Sequence, residues 1–155
     1  MKKIVFAGLV LFLMTLAFPL YAASGDDVVG LWYTEGNDSK VEIVCDKDEY
    51  RGKIVWLEEE VYPADDPDAG QTKHDRNNPD EELRLRPILG LEIVWGFSYN
   101  EKNEKWERGR IYDPESGKTY NCNMWLDEKG NLNVKGSLDK WGLIGRSTIW
   151  TPAGE

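Results

Sequence analysis

Histidine, cysteine and basic residues are scarce in this chain of 155 residues, and each shortage excludes something. The one histidine, His74, cannot supply a zinc site of ordinary ligand count. Asp75 follows it directly, but neighbours on an extended chain point apart, so the two make no ready acid–base dyad. No G-x-S-x-G or H-E-x-x-H motif occurs, and no Ser or Cys has an evident base. No catalytic residue is therefore assigned, no cofactor is implied, and the protein is not expected to be an enzyme. Its many carboxylates leave only a glycosidase-like pair open. Lys and Arg total 19 against 28 Asp and Glu, a formal net charge of −9. An acidic chain without a basic stripe is a poor partner for nucleic acid or an anionic membrane surface.

Two cysteines, Cys45 and Cys122, allow at most one disulfide. They fall on the second and sixth of the strands assigned below, roughly across a barrel, and bridging would need Cα atoms within about 7 Å. Two buried free thiols are the expected state, with the disulfide as the alternative. Long apolar runs are also missing after the N-terminus. Lys2 and Lys3, the apolar stretch Ile4–Leu16, the break at Pro19 and the small pair Ala22-Ala23 form a secretory signal peptide, residues 1–22. The stretch is shorter than the ~20 residues a membrane span needs, and no acylatable Cys follows it. Residues 23–155 are then one domain, periplasmic or secreted from a bacterium, with no stable membrane insertion after cleavage. Nothing in the sequence specifies an oligomeric state.

What remains is alternation punctuated by turns. Strands are expected at 30–34, 40–45, 49–57, 91–99, 105–112, 118–126, 132–137 and 143–151. Short turns join nearly all of them. The most patterned is Asp113-Pro114-Glu115-Ser116-Gly117, where Pro suits the second turn position and Gly117 the left-handed conformation. Asn37-Asp38-Ser39 is read as turn chemistry, although it fits a glycosylation sequon. The fold class is all-β: an eight-stranded antiparallel up-and-down barrel, because closure removes the exposed edges of a long meander. A two-sheet sandwich is the alternative. Residues 58–87 interrupt the meander as an acidic loop carrying a short helix, with Asn78 as N-cap and Pro79 as its first residue. Asp65, Asp66 and Asp68 before Gly70 do not match a calcium loop, so a solvated loop is expected and no metal site.

Gly30-Leu31-Trp32 resembles the G-x-W signature of lipocalins, in which the Trp packs across one end of the barrel under an Arg near the last strand. Arg146 occupies that chain position here, so Trp32 and Arg146 are the expected barrel closure. Nearly the whole mature chain resembles the bacterial secreted-protein family catalogued as domain of unknown function 2147. The resemblance rests on Gly52-Lys53-Ile54-Val55-Trp56-Leu57, Asn77-Asn78-Pro79-Asp80 and Arg86-Pro87-Ile88-Leu89-Gly90-Leu91. It continues through Gly109-Arg110-Ile111-Tyr112-Asp113-Pro114, Gly117-Lys118-Thr119-Tyr120 and Gly145-Arg146. The resemblance implies a cell-envelope location and a lipocalin-like barrel, and implies no activity. Family members often pair Cys residues around the second turn; here Arg51-Gly52 stands where the second Cys would be, so that short-range disulfide is not expected.

An eight-stranded barrel either is filled by side chains or holds one small ligand. The expected function is binding a small apolar or amphipathic ligand inside it, with Trp56, Trp95, Phe97, Tyr120 and Met124 on the wall. Strand 105–112 puts Trp106, Arg108, Arg110 and Tyr112 on one face by simple alternation. Facing inward, Arg108 and Tyr112 would fix a ligand carboxylate; facing outward, Gly109 and Ile111 take the core and the arginines are surface charge. The outward reading is favoured, because two arginines in a core are expensive. The alternative function is a solid-core envelope protein that binds a protein or glycan through the acidic 58–87 loop and exposed aromatics. Trp141, in a turn, would be one of these or would cover the barrel mouth.

Overall fold

The computed structural model describes residues 24–139 and 145–154. The expected signal peptide, Trp141 and the start expected for the last strand lie outside these residues. Eight strands follow in order: β1 (Gly30–Tyr33), β2 (Ser39–Asp46), β3 (Glu49–Leu57), β4 (Glu92–Asn100), β5 (Lys105–Asp113), β6 (Lys118–Leu126), β7 (Leu132–Ser137) and β8 (Gly145–Pro152). Each pairs antiparallel with the next and β8 returns to β1, closing the barrel. The β1–β8 seam is short, Trp32 opposite Pro152 and Tyr33 opposite Thr151, with one further bond from Ala153 N to the Leu31 carbonyl. Among the described residues, no helix is long and apolar enough to cross a membrane.

One end of the barrel is stoppered by a 3-10 turn, Gly25–Val28, that was not expected. Its origin is a satisfaction problem. Trp32 and Trp106 are buried, and each buried indole N–H needs an acceptor. The turn supplies both: Trp32 Nε1 donates to the Val28 carbonyl at 2.8 Å and Trp106 Nε1 to that of Gly25 at 3.0 Å. Tyr50 and Tyr99 pack around Trp106, with ring centroids at 6.2 and 4.9 Å. Above this layer Phe97, Ile43, Met124, Leu132, Val41, Val94 and Val134 are almost fully buried.

Bulges change which side chains reach that core, and simple alternation fails there. In β4, Ile93 is an extra residue opposite Gly52-Lys53, and Gly96 (φ +75°) is extra opposite Tyr50–Gly52. The Gly96 N–H, freed from the ladder, donates to Glu49 Oε1 at 3.1 Å. Val94 and Phe97 therefore point inward and Trp95 outward, although Trp95 and Phe97 share a face by count. In β5, Arg108 sits at φ +64° where the register with β6 slips between Trp106 and Gly109. Trp106, Gly109 and Ile111 turn to the core, and Arg108 and Arg110 are exposed. The outward reading of the arginines holds, but Trp106 does not accompany them.

The 58–91 segment is an ordered lobe rather than a solvated loop. Bridges join Val61 to Thr72 and His74 to Pro87. Tyr62 is buried, its hydroxyl bonded to both N and O of His74 at 3.1 Å. Arg76 stacks on the Tyr62 ring at 4.2 Å and forks onto Asp66 at 2.7 and 2.8 Å. The expected helix is a 3-10 turn, Glu81–Leu83, capped by Asp80 and not by Asn78. Asn78 Oδ1 accepts the Asp80 N–H at 2.8 Å, ahead of the turn, while its amide nitrogen makes the tertiary contacts described below.

The hydrogen bond from Arg76, then that from the Asp68 N–H, holds the Asp66 carboxyl down at about 2. Its contribution to lobe order is thus fully present above the unfolded Asp value of about 4 and is lost as pH falls through about 2. Amide exchange of residues 60–76 is expected to accelerate in that window, before the barrel strands respond. Asp66→Asn should show the faster exchange already at neutral pH; unchanged exchange in this variant would mean the fork does not hold the lobe.

Candidate functional site

At the end opposite the 24–28 stopper the inner layer of the described residues is less fully covered. There the inward positions Ile111, Tyr120, Gly136 and Thr148 are half-exposed, whereas Cys122, Val134 and Trp150 beneath them are buried. Ile111 pairs with Tyr120, and a Cβ on Gly136 would lie 3.5 Å from the side chains of both. Glycine at this position keeps the mouth concave. At the rim Arg146 pairs with Glu35 at 2.5 Å and is 81% exposed. That corrects the expected closure. β8 faces β1 only at Thr151 and Pro152, so Arg146 stands at the far end of β8 from Trp32 and cannot stack on it. Trp32 is buried against the stopper without it.

A second concavity, about 340 Å³, lies outside the wall, between the lobe and the outer faces of β4–β6. Trp95, Leu91 and Pro79 make its apolar surface, and Asn78, Arg86, Glu92, Tyr112 and Thr119 its polar one. Behind it is a polar clasp centred on Asp75, which is 0% exposed. Asp75 Oδ1 accepts the Tyr112 hydroxyl at 2.5 Å. Its Oδ2 accepts Asn78 Nδ2 at 2.7 Å, Arg86 Nε at 2.8 Å and Arg86 Nη2 at 2.7 Å. Asn78 also donates to Tyr112 at 3.1 Å. Burial and the Asp75 carboxylate push the Tyr112 phenol up to about 12. Every member is satisfied, so the clasp fixes the lobe on the wall and makes one side of the cleft rigid.

The expected ligand residues are thus dispersed. Phe97 and Met124 are core, each 1% exposed. Trp56 is on the outer surface, because β3 slips register beyond Ile54 and sets Trp56 opposite Lys40. There the Lys40 ammonium lies over both the Tyr33 and Trp56 rings, at 4.8 and 5.4 Å. Arg108 faces solvent at its bulge. Trp95 and Tyr112 line the outer cleft, and Tyr120 alone stands at the mouth. Sequence reasoning missed Asp75, Arg86 and Gly136. The available signal was Asp75 and Arg86 on either side of the Asn77-Asn78-Pro79 turn.

The cysteines are free. Cys122 is buried, and burial pushes its thiol up to about 12. Cys45 is exposed, contrary to expectation, because the end of β2 projects past the core along with Val44. Among the described residues no group of His, Cys, Asp and Glu is arranged to hold a metal ion.

The protein HP1028 from the human pathogen Helicobacter pylori, described as belonging to the lipocalin family, has a similar structure. The TM-score is 0.66 at 23% identity, over 82% of this chain and 83% of that chain, a likeness of fold. No curated protein matches the chain in sequence. Residues 30–152, the span from the first residue of β1 to the last of β8, match the DUF2147 family, described as uncharacterized proteins conserved in bacteria, and the chain belongs to that family.

Proposed function

We propose that this is a lipocalin-like binding protein that takes a small apolar or amphipathic ligand at the open end of its barrel. One observation carries the proposal: inward-facing Ile111, Tyr120 and Thr148 are half-exposed around Gly136 while the layer below is closed. The ligand is held shallowly, over a floor of Val134 and Cys122, and not deep among Phe97 and Met124. Burying roughly 150 Å² of it at about 25 cal/mol per Å² contributes about 4 kcal/mol, a millimolar term. Tighter binding needs the Tyr120 and Thr148 hydroxyls or the Arg146–Glu35 pair at the rim. Residues 1–22 act as the export signal, so binding takes place outside the cytoplasm, and the role is carriage or sensing rather than catalysis.

Titration with anilinonaphthalene sulfonate, competed by decanoate, tests the site. Saturable fluorescence enhancement is expected from the wild type and its loss from Gly136→Phe, which fills the mouth, with the melting temperature of both measured alongside. Equal enhancement by a folded Gly136→Phe protein would sink the proposal. A protein partner at the lobe is the second reading, favoured by the exposure of Leu83 (39%), Leu85 (80%) and Leu89 (39%).

A further inference from the structure

The outer cleft is a separate site, and we infer that it binds a neutral sugar. Its volume, about 340 Å³, is that of a small-molecule pocket. Its chemistry is two-sided. Trp95, half-exposed, together with Leu91 and Pro79 offers a flat apolar surface of the kind that packs on the C–H face of a pyranose. Arg86, Glu92 and Thr119 surround that surface with planar and hydroxyl groups that both donate and accept. A sugar ring carries the same two characters, one apolar face and a girdle of hydroxyls.

Charge distinguishes a sugar from the other ligands of this size. Arg86 is the one cation of the lining, and Asp75 already neutralises it through Nε and Nη2. Nη1 remains able to donate to a hydroxyl or an amide carbonyl, but no uncompensated positive charge is left to attract a carboxylate or phosphate. Glu92, held only at 3.9 Å from Arg51, adds negative charge and accepts hydroxyl donors. A bare acyl chain would strip water from these polar groups without replacing their hydrogen bonds. The clasp also prepares the site. Asn78, Arg86 and Tyr112 are fixed by a carboxylate with 0% exposure, so little side-chain freedom is lost when a ligand docks.

The site differs from the barrel mouth in position and in occupant, so one set of variants separates them. The full mature protein, labelled with 15N, is titrated with N-acetylglucosamine and with cellobiose, following the Trp95 indole signal, assigned by its loss in Trp95→Phe, and the backbone amide signals of Glu92 and Thr119, which report on binding in every variant. Saturable shifts at millimolar sugar are expected in the wild type. Trp95→Ala should weaken binding about tenfold, the scale of one stacked ring. Glu92→Gln, at an exposed position, should weaken it severalfold without altering the melt. Trp95→Phe should keep most of the affinity, showing that loss in Trp95→Ala is not misfolding. Gly136→Phe should bind sugar like the wild type. No saturable shift with either sugar, unchanged affinity in Trp95→Ala, or a stronger response of the same indole to decanoate would each overturn the inference.

Discussion

Asp75→Ala is expected to destabilise the protein by about 3 kcal/mol and to lower its melting temperature by roughly 10 °C. The carboxylate is fully buried and serves three partners at once. Removing it leaves the Tyr112 hydroxyl and the Asn78 amide buried with one acceptor fewer, at about 1–3 kcal/mol for each unsatisfied group. The guanidinium contributes less to the loss, since the Arg86 side chain is 38% exposed and water can solvate it. Asp75→Asn should be nearly as damaging, because an amide nitrogen in the place of Oδ2 would face donors on Asn78 and Arg86. Tyr112→Phe removes two bonds, the donation to Asp75 and the acceptance from Asn78, and leaves Asn78 and Arg86 on Asp75, so about 1–2 kcal/mol is expected. The clasp also has an alkaline limit. A phenol raised to about 12 favours the folded state fully below the ordinary tyrosine value of about 10, and that contribution is lost as pH rises through about 12. Thermal melts of the three variants, with amide exchange across 58–91, check this. An Asp75→Ala protein that melts like the wild type and keeps its lobe protected would refute the clasp.

Gly109→Ala should cost about 3 kcal/mol, the upper range for overpacking a core by one methyl. A Cβ on Gly109 would overlap the ring of Phe97, which is 1% exposed. Neither partner can retreat easily. Phe97 follows the Gly96 bulge, Gly109 follows the Arg108 bulge, and the two bulged strands are paired with each other on both sides of this point, Trp95 to Arg110 and Ser98 to Glu107. The cost is therefore steric and not a matter of backbone freedom. A double-mutant cycle separates the two causes. In a Phe97→Leu background the Gly109→Ala penalty is expected to fall to about 1 kcal/mol or less; an undiminished penalty would mean the backbone at Gly109, and not the ring, is at fault.

Most of the barrel was legible in the sequence. β3, β6 and β7 begin and end where alternation and turn chemistry put them, and the other strands differ from expectation by a residue or two at their ends. The 113–117 turn forms as its residues dictate, with Asp113 accepting the Glu115 N–H at 3.0 Å and Gly117 at φ +66°. These signals are local: each concerns residues a few positions apart. The site was far less legible, because a single inserted residue inverts every later side chain in a strand. Trp95 and Trp106 departed from expectation for that reason alone. Asn78 Oδ1 accepts the Asp80 N–H locally, but the turn starts at Glu81 under Asp80, and the Asn78 amide nitrogen is committed to a carboxylate three residues away and a phenol 34 residues away, contacts that no local pattern shows.

The sequence alone thus determined an all-β meander that must close, since an open one would leave bare strand edges. Tertiary structure decided where that closed surface is hollow. The Asp75–Tyr112 bond spans 37 residues, and the bulges of β4 and β5 matter only because they lie side by side. Bringing distant groups together, or re-aiming a side chain by one residue, leaves no periodic trace in the chain, because the energy resides in contacts that exist only once the barrel has closed.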